Sequence, residues 1–282
     1  MYVISSASAL ISANALNSAT FDANQASERI STGKRINRAS DDPTGLIRAM
    51  TLRSNIGSYT TALDNINEGI EAMDKIASTL ASIYDTLTEM RTLADASISE
   101  TDTDTLAAYK ANFISYLSDI DTYSDQVTVA GAAVMDGSPT EVTIQVGPSV
   151  SDTRTFDYVD TSTDELGIDS ASIEMSNSSY LNTAARATLA VTAIDSALDI
   201  VEGYIATVAA SQKVLDINTD FANSMIKNYS IAYGKIMDAN IAEETAKLAS
   251  AQIRQTSAAA MLAQSNSMSK DIVTYLLRNY TG

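Results

Sequence analysis

LRSNIGSYTTALDNINEGIEAMDKIASTLASIYDTL, residues 52 to 87, decides the fold. Leu52, Ile56, Tyr59, Leu63, Ile66, Ile70, Met73, Ala77, Leu80, Tyr84 and Leu87 follow one another in alternating steps of four and three, the spacing of a coiled-coil seam. A helix over Leu46 to Ala94 would run roughly 70 Å at about 1.5 Å per residue, too long for an ordinary compact domain. The expectation is a rod. One seam needs partner stripes, and the flanking sequence supplies them.

Beyond a polar break at ISETDTD, where Asp102 or Thr103 can cap a new helix, a second stripe runs Leu106, Tyr109, Phe113, Tyr116, Ile120, Tyr123, Val127. The period then changes to two. Val142, Ile144 and Val146 alternate in EVTIQVG and Phe156 and Tyr158 in TRTFDYV, with Gly147-Pro148 and a polar turn between them, so a hairpin is expected near 140–159. Residues Asp160 to Ser179 carry few apolar anchors and read as an exposed tip. Their Asn177-Ser178-Ser179 fits a glycan acceptor pattern that is common by chance.

A third long stripe, Ala187, Val191, Ile194, Leu198, Val201, Ile205, Val208, Gln212, Leu215, Thr219, Ala222, Ile226, Tyr229, Tyr233, Ile236, matches the first in length, and the two can pair. The chain ends are weaker. Val3, Ala7, Leu10, Asn14, Asn17 and Phe21 form a stripe with two asparagines in it. Ile241, Leu248, Ala251, Ala258, Leu262, Ile272 and Leu276 form another, broken by Glu244, Gln255, Ser265 and Ser269. Polar seam residues fix register at a cost in stability, so these two helices are natural partners for each other and for outside surfaces. The reading is a mainly α, antiparallel helical rod with a small hairpin and no large outer domain. Residues 1–40 with 238–282 form a discontinuous terminal-helix domain, and 41–237 form the rod.

Between the first two helices, TGKRINRASDDPTG breaks the period. Asp41 or Asp42 can cap the next helix, with Pro43 in its first turn. Arg29, Lys34, Arg35, Arg38, Arg48 and Arg53 make this region a basic island in an acidic chain, able to pair with acidic faces of neighbouring molecules.

Composition limits the chemistry. Without cysteine or histidine there is no thiolate nucleophile, imidazole base or soft metal site, and no cofactor is implied. Glu100, Asp102 and Asp104 alternate like calcium ligands, but without a glycine turn or closing glutamate they read as a solvated turn. Glu243 and Glu244 point to adjacent helix faces rather than into one cleft, and no base accompanies any serine, so an enzyme is disfavoured. Thirty-five acids against eighteen bases give a net charge of -17, which argues against nucleic acid and anionic membranes as partners. The first residues hold no basic segment or continuous apolar run of the signal-peptide kind.

ERISTGKRINRASDDPTG (28–45), LTEMRTLADAS (87–97), EVTIQVG (141–147) and MDANIAEETAKLASAQIRQTSAAAMLAQSNSMSKDIVTYLLR (237–278) resemble bacterial flagellin, the filament subunit, along nearly the whole chain. The resemblance implies a helical homopolymer with an inner tube of paired terminal helices, to which Leu10, Phe21, Leu248, Leu262, Ile272 and Leu276 contribute subunit packing. Arg29, Arg35, Asn37, Asp41 and Asp42 fall in the family's connecting segment. Leu52, Ile56, Leu63, Ile66, Ile70, Leu80, Ile194, Leu198, Ile205 and Leu215 form the rod core. It also implies export without cleavage through the flagellar type III apparatus to an extracellular filament. A flagellar export chaperone, a filament cap protein and a hook-junction protein are the implied partners.

Two departures stand out. Only about twenty polar residues occupy the place of the large outer domains of many flagellins, so a thin, smooth filament is expected, and Val129-Ala130-Gly131 replaces Phe-Asn-Gly. Glu89, Arg91 and Leu93 lie in the stretch that a vertebrate Toll-like flagellin receptor contacts; detected flagellins carry arginine where this chain has Glu89, with the leucine four residues on kept as Leu93. The alternatives are a hook-filament junction protein of the same terminal design, which the MLAQSNSM and YLLR stretches disfavour, and a secreted membrane-active helical protein. The alanine, serine and asparagine of the end helices lack the basic and bulky faces that the latter needs.

Overall fold

In a computed structural model the described residues are 2–129, 132–137, 141–157, 159–168, 181 and 183–280. They form α1 (Tyr2–Thr32), α2 (Pro43–Ile98), α3 (Thr103–Gln126), β1 (Thr128–Val129), β2 (Ala132–Ala133), β3 (Glu141–Gln145), β4 (Thr153–Asp157), α4 (Ala184–Met237) and α5 (Ile241–Tyr280). The chain is mainly α, as the stripes require. Two compact units result, one of Met1–Ser54 with Asn228–Gly282 and one of Asn55–Lys227. These boundaries fall inside α2 and α4 rather than at the expected 40/41 and 237/238. The physical reason is a small core of Ile36, Ala49 and Met237, which ties the first turns of α2 and the last of α4 to the segment between α1 and α2.

In the second unit α2 and α4 run antiparallel. Arg91 binds Asp195, Tyr84 donates to Glu202 at 3.1 Å, Gln212 donates to Asp74 at 2.7 Å, and Tyr59 meets Phe221 edge to face at 6.4 Å, so partner numbers rise on one helix as they fall on the other. Two ladders of seven-residue spacing are buried on α2. One is Tyr59, Ile66, Met73, Leu80, Leu87, Ala94, and the other is Ala62, Gly69, Ile76, Ile83, Met90, Ser97. Of the expected stripe, Tyr59, Ile66, Met73, Leu80 and Leu87 are buried, whereas Leu52, Ile56, Leu63, Ile70, Ala77 and Tyr84 are only half-buried. α2 packs against α3 as well as α4, and a helix with two neighbours needs a wider apolar stripe than a two-helix seam. On α4, Ile194 and Leu215 are buried with Ala190 and Ala197, and Leu198 and Ile205 pack at the edge.

α3 begins at the expected cap: Asp102 accepts from the Thr105 amide at 3.0 Å, and Glu100 accepts from the Thr101 and Asp102 amides. Phe113 and Ile120 enter the core, while Tyr116 hydrogen-bonds Glu89, which raises its phenol pKa. β3 and β4 pair antiparallel with Val142 opposite Phe156 and Ile144 opposite Arg154. Ile144 descends onto Gly69, where a β-carbon would overlap its Cδ1, so glycine permits the close approach of strand to helix. Tyr158 lies outside the described residues, as do Ala130 and Gly131. The latter two lie between β1 and β2, a short antiparallel pair that no alternation announced.

The expected exposed tip is corrected over its first part. Val159, Thr161, Leu166 and Ile168 are buried, with Thr161 and Ser124 sharing a 2.7 Å hydrogen bond and Asp121 accepting from the Thr163 amide at 3.1 Å. Four well-spaced anchors closed by side-chain bonds outweigh the polar composition. Residues 169–180, including Asn177, lie outside the described set.

Candidate functional site

The first unit is built on α1 against α5, and its functional geometry begins with which side chains meet. The contact uses small and polar groups. Ala19, Ala26, Ala251 and Ala258 are buried, with Ala9, Ser12, Leu16, Ala23 and Ile30 half-buried on the same four-three spacing of α1. Ser8 and Ser265 share a hydrogen bond of 2.9 Å, Gln255 donates to Thr20 at 3.1 Å, Arg254 pairs with Asp22 at 3.0 Å and Arg29 with Glu244 at 3.5 Å. These partners again run in opposite directions, so the helices are antiparallel.

Glu244, Gln255, Ser265 and Ser269, which interrupt the apolar stripe of α5, are therefore part of its seam. Glu244 is buried and also takes Lys247 at 2.9 Å, and Ser269 donates to the Ser265 carbonyl at 3.0 Å. A buried carboxylate needs such partners to offset its desolvation. Leu248 and Leu262 are half-buried beside them. The side chains of Ile272 and Leu276 lie outside the described residues.

The α1 stripe inferred from large residues lies elsewhere. Leu10 is 63% and Phe21 66% exposed, and Asn14 and Asn17 are exposed too. The in-chain seam is displaced by two residues, which on a helix is nearly the opposite face. Ile11 on α1 and Ile253, Met261, Met268 and Tyr275 on α5 are likewise exposed. Close pairing thus spends the alanine faces and leaves the bulky ones outward.

The segment between α1 and α2 forms a joint. Gly33, with φ +67, ends α1 as a left-handed cap, and the chain then pairs with the α4–α5 link: the Ala239 amide donates to the Gly33 carbonyl at 2.9 Å and the Arg35 amide to the Met237 carbonyl at 2.6 Å. The Arg35 guanidinium donates to the Ile236 carbonyl through Nε at 3.2 Å and Nη2 at 2.8 Å, and reaches Asp42 at 3.4 Å. Arg38 grips Glu28 with two donors. Asn37 donates to the Lys34 carbonyl at 3.1 Å.

The adjacent aspartates divide the work. Asp42 caps α2 by accepting from the Gly45 amide at 2.8 Å, and Asp41 accepts from the amides of Asn37 and Arg38 at 3.0 and 2.9 Å. The Arg38 and Asn37 amides hold the Asp41 carboxyl below the usual carboxylate range. A depressed folded pKa gives stability that is complete above the unfolded value and lost as pH falls through the folded one. The joint should therefore be intact at neutral pH and loosen only on acidification below about pH 4. Asp41→Asn should flatten that acid dependence, as followed by amide exchange at Asn37 and Arg38; an unchanged acid profile contradicts the assignment.

All five expected joint residues belong to this region, four of them in the joint and Arg29 at the helix pair beside it. The sequence reading missed Ile36, whose buried side chain anchors the loop. Its one signal was an apolar residue isolated in a basic stretch. Around Arg29, Glu244 and Lys247 lies a cleft of about 560 Å³ also lined by Asp22, Glu243 and Arg254, with the Arg29 Nε enclosed and without a hydrogen-bond partner among the described residues. Its three carboxylates, Asp22, Glu243 and Glu244, are balanced by the three basic groups Arg29, Lys247 and Arg254.

Residues 3–140 match the family model described as the bacterial flagellin N-terminal helical region, and residues 191–276 match the bacterial flagellin C-terminal helical region. Flagellin FljM of Caulobacter vibrioides is 29% identical over 94% of this chain and 95% of its own length. A flagellin of Salmonella enteritidis is 30% identical over 74% of this chain but only 43% of its own. The structure of a putative flagellar hook-associated protein from Vibrio parahaemolyticus superposes with a TM-score of 0.59 at 17% identity, over 70% of this chain and 100% of that one, a likeness of fold.

Long paired helices, bulky faces left outward and a joint closed by charge and backbone bonds define a helical structural subunit. The chain belongs to the bacterial flagellin family. It is accordingly a structural subunit of the flagellar filament, the propeller of bacterial motility.

Proposed function

We propose that this subunit polymerises through the outward faces of α1 and α5, which pack against other copies as the inner wall of an extracellular filament. The observation that supports it most is the exposure of Leu10, Phe21, Ile253, Met261 and Met268 beside a seam of alanine, serine and salt bridges. Large apolar side chains left exposed along helices mark interaction surfaces. Delivery follows the family's uncleaved type III route, with an export chaperone covering α5, a cap protein at the growing end and a hook-junction protein at the base. Phe21→Ser with Ile253→Ser should leave helix content and unfolding of the monomer nearly unchanged while greatly reducing sedimentable polymer. Undiminished polymerisation contradicts this use of the faces.

A second part of the reading concerns hosts. Glu89 and Leu93 share a helix face, with Leu93 half-buried and Glu89 exposed and bonded by Tyr116, while Arg91 is engaged by Asp195 and Asp95. A receptor surface built for a guanidinium meets a carboxylate at Glu89, and an unpaired interface charge costs on the order of 2 to 5 kcal/mol. Weak or absent signalling is expected from monomeric protein in a receptor-reporter assay, with partial recovery on Glu89→Arg. Strong signalling by the unmodified chain contradicts it.

A further inference from the structure

The two units differ in charge. Met1–Ser54 with Asn228–Gly282 hold eleven Lys and Arg against eight Asp and Glu, a net +3, whereas Asn55–Lys227 hold seven against twenty-seven, a net -20. In the first unit most acids are already satisfied. Asp22 pairs with Arg254, Glu28 with Arg38, Asp42 with Arg35, and Glu243 and Glu244 with Lys247, while Asp41 takes backbone amides. Cations are left over. Arg48 and Arg53 are exposed and join no ion pair among the described residues. They lie on the first turns of α2 beside Ile47 and Met50, which are 66% and 64% exposed.

We propose that this patch of Ile47, Arg48, Met50 and Arg53 docks on the acidic second unit of another copy of the chain, a contact that rests on the filament reading and specifies one of its interfaces. Units of -20 brought side by side repel one another, and free guanidinium groups meeting them relieve that repulsion while apolar neighbours supply contact area. Arginine suits the task because its flat, always-charged fork accommodates carboxylates in pairs. Such a contact chiefly raises association rate and salt sensitivity.

Arg48→Glu with Arg53→Glu tests this against Lys75→Glu with Lys110→Glu, which changes net charge equally but within the second unit. The readouts are the critical concentration for polymerisation by sedimentation at low and high salt, and helix content of the monomer. The arginine variant should raise the critical concentration about tenfold or more, a loss of about 1.4 kcal/mol per contact, and alter its salt dependence. The lysine variant, which adds to the repulsion between second units but leaves the docking patch intact, should raise the critical concentration less. Equal effects of the two variants would make net charge the cause and overturn the docking contact. An arginine variant that polymerises like the unmodified chain also overturns it, with the filament reading intact. An unmodified chain that never polymerises refutes the filament reading first.

Discussion

Removal of Ala258 to Gly282 is expected to abolish polymerisation while the thermal unfolding of the Asn55–Lys227 unit stays almost unmoved. That unit has its own continuous core from Ile66 to Leu215, built from α2, α3, α4 and the hairpin, and none of its buried residues comes from α5. The deleted stretch instead contributes Ala258 and Ser265 to the pairing with α1 and exposes Met261, Met268 and Tyr275. Isolated helices with polar seams do not offset about 1 to 2 kcal/mol of backbone entropy per residue, so α1 without this partner should also lose helix. Circular dichroism would register that loss, and calorimetry the unchanged transition. A unit that melts far earlier after truncation would show that α5 supports it directly.

Phe113→Ala should act in the opposite way. The ring is fully buried in the same core, and removing it costs roughly 3 to 5 kcal/mol through lost burial and the cavity left behind. Such a loss is a large part of the net stability of an ordinary domain. The denaturant midpoint should fall steeply, whereas Leu10→Ala, at an exposed position, should stay within about 0.5 kcal/mol in the monomer. Similar costs at the two sites would contradict the division between a stability core and an assembly face.

How much of this was legible in the sequence depended on residue size. Where partners are large, as with Leu80, Ile194 and Leu215, the four-three spacing announced both helix and face, and the Asp102 cap and the β3–β4 hairpin followed from local chemistry. On α1 the same habit found the outward face and not the in-chain seam. Leu10 and Phe21 drew the stripe, although helices that pack closely through alanine bury Ala19 and Ala26 and leave bulk outward. Hydrophobicity marks what must be covered and cannot say by which copy.

Polar seams misled for a related reason. Glu244 and Gln255 read as breaks because their partners, Arg29 and Thr20, are more than 200 residues away, and a charge is costly in a seam only until its partner is known. The second ladder of α2 carried Ala62, Gly69 and Ser97, too small to register as apolar, yet their seven-residue spacing was there to be read. The joint was half visible. The Asp42 cap and Pro43 in the first turn of α2 followed from local chemistry, but the backbone bonds to Met237 and Ala239 depend on tertiary placement alone.

In the proposed assembly, helix faces left uncovered within one chain build the filament. Electron microscopy of the concentrated chain under salting-out conditions, with and without short seeds, tests it most directly. Long helical filaments, thin and smooth, that grow from seeds are expected. Monomers persisting under every such condition, with α1 and α5 helical and paired, would contradict it.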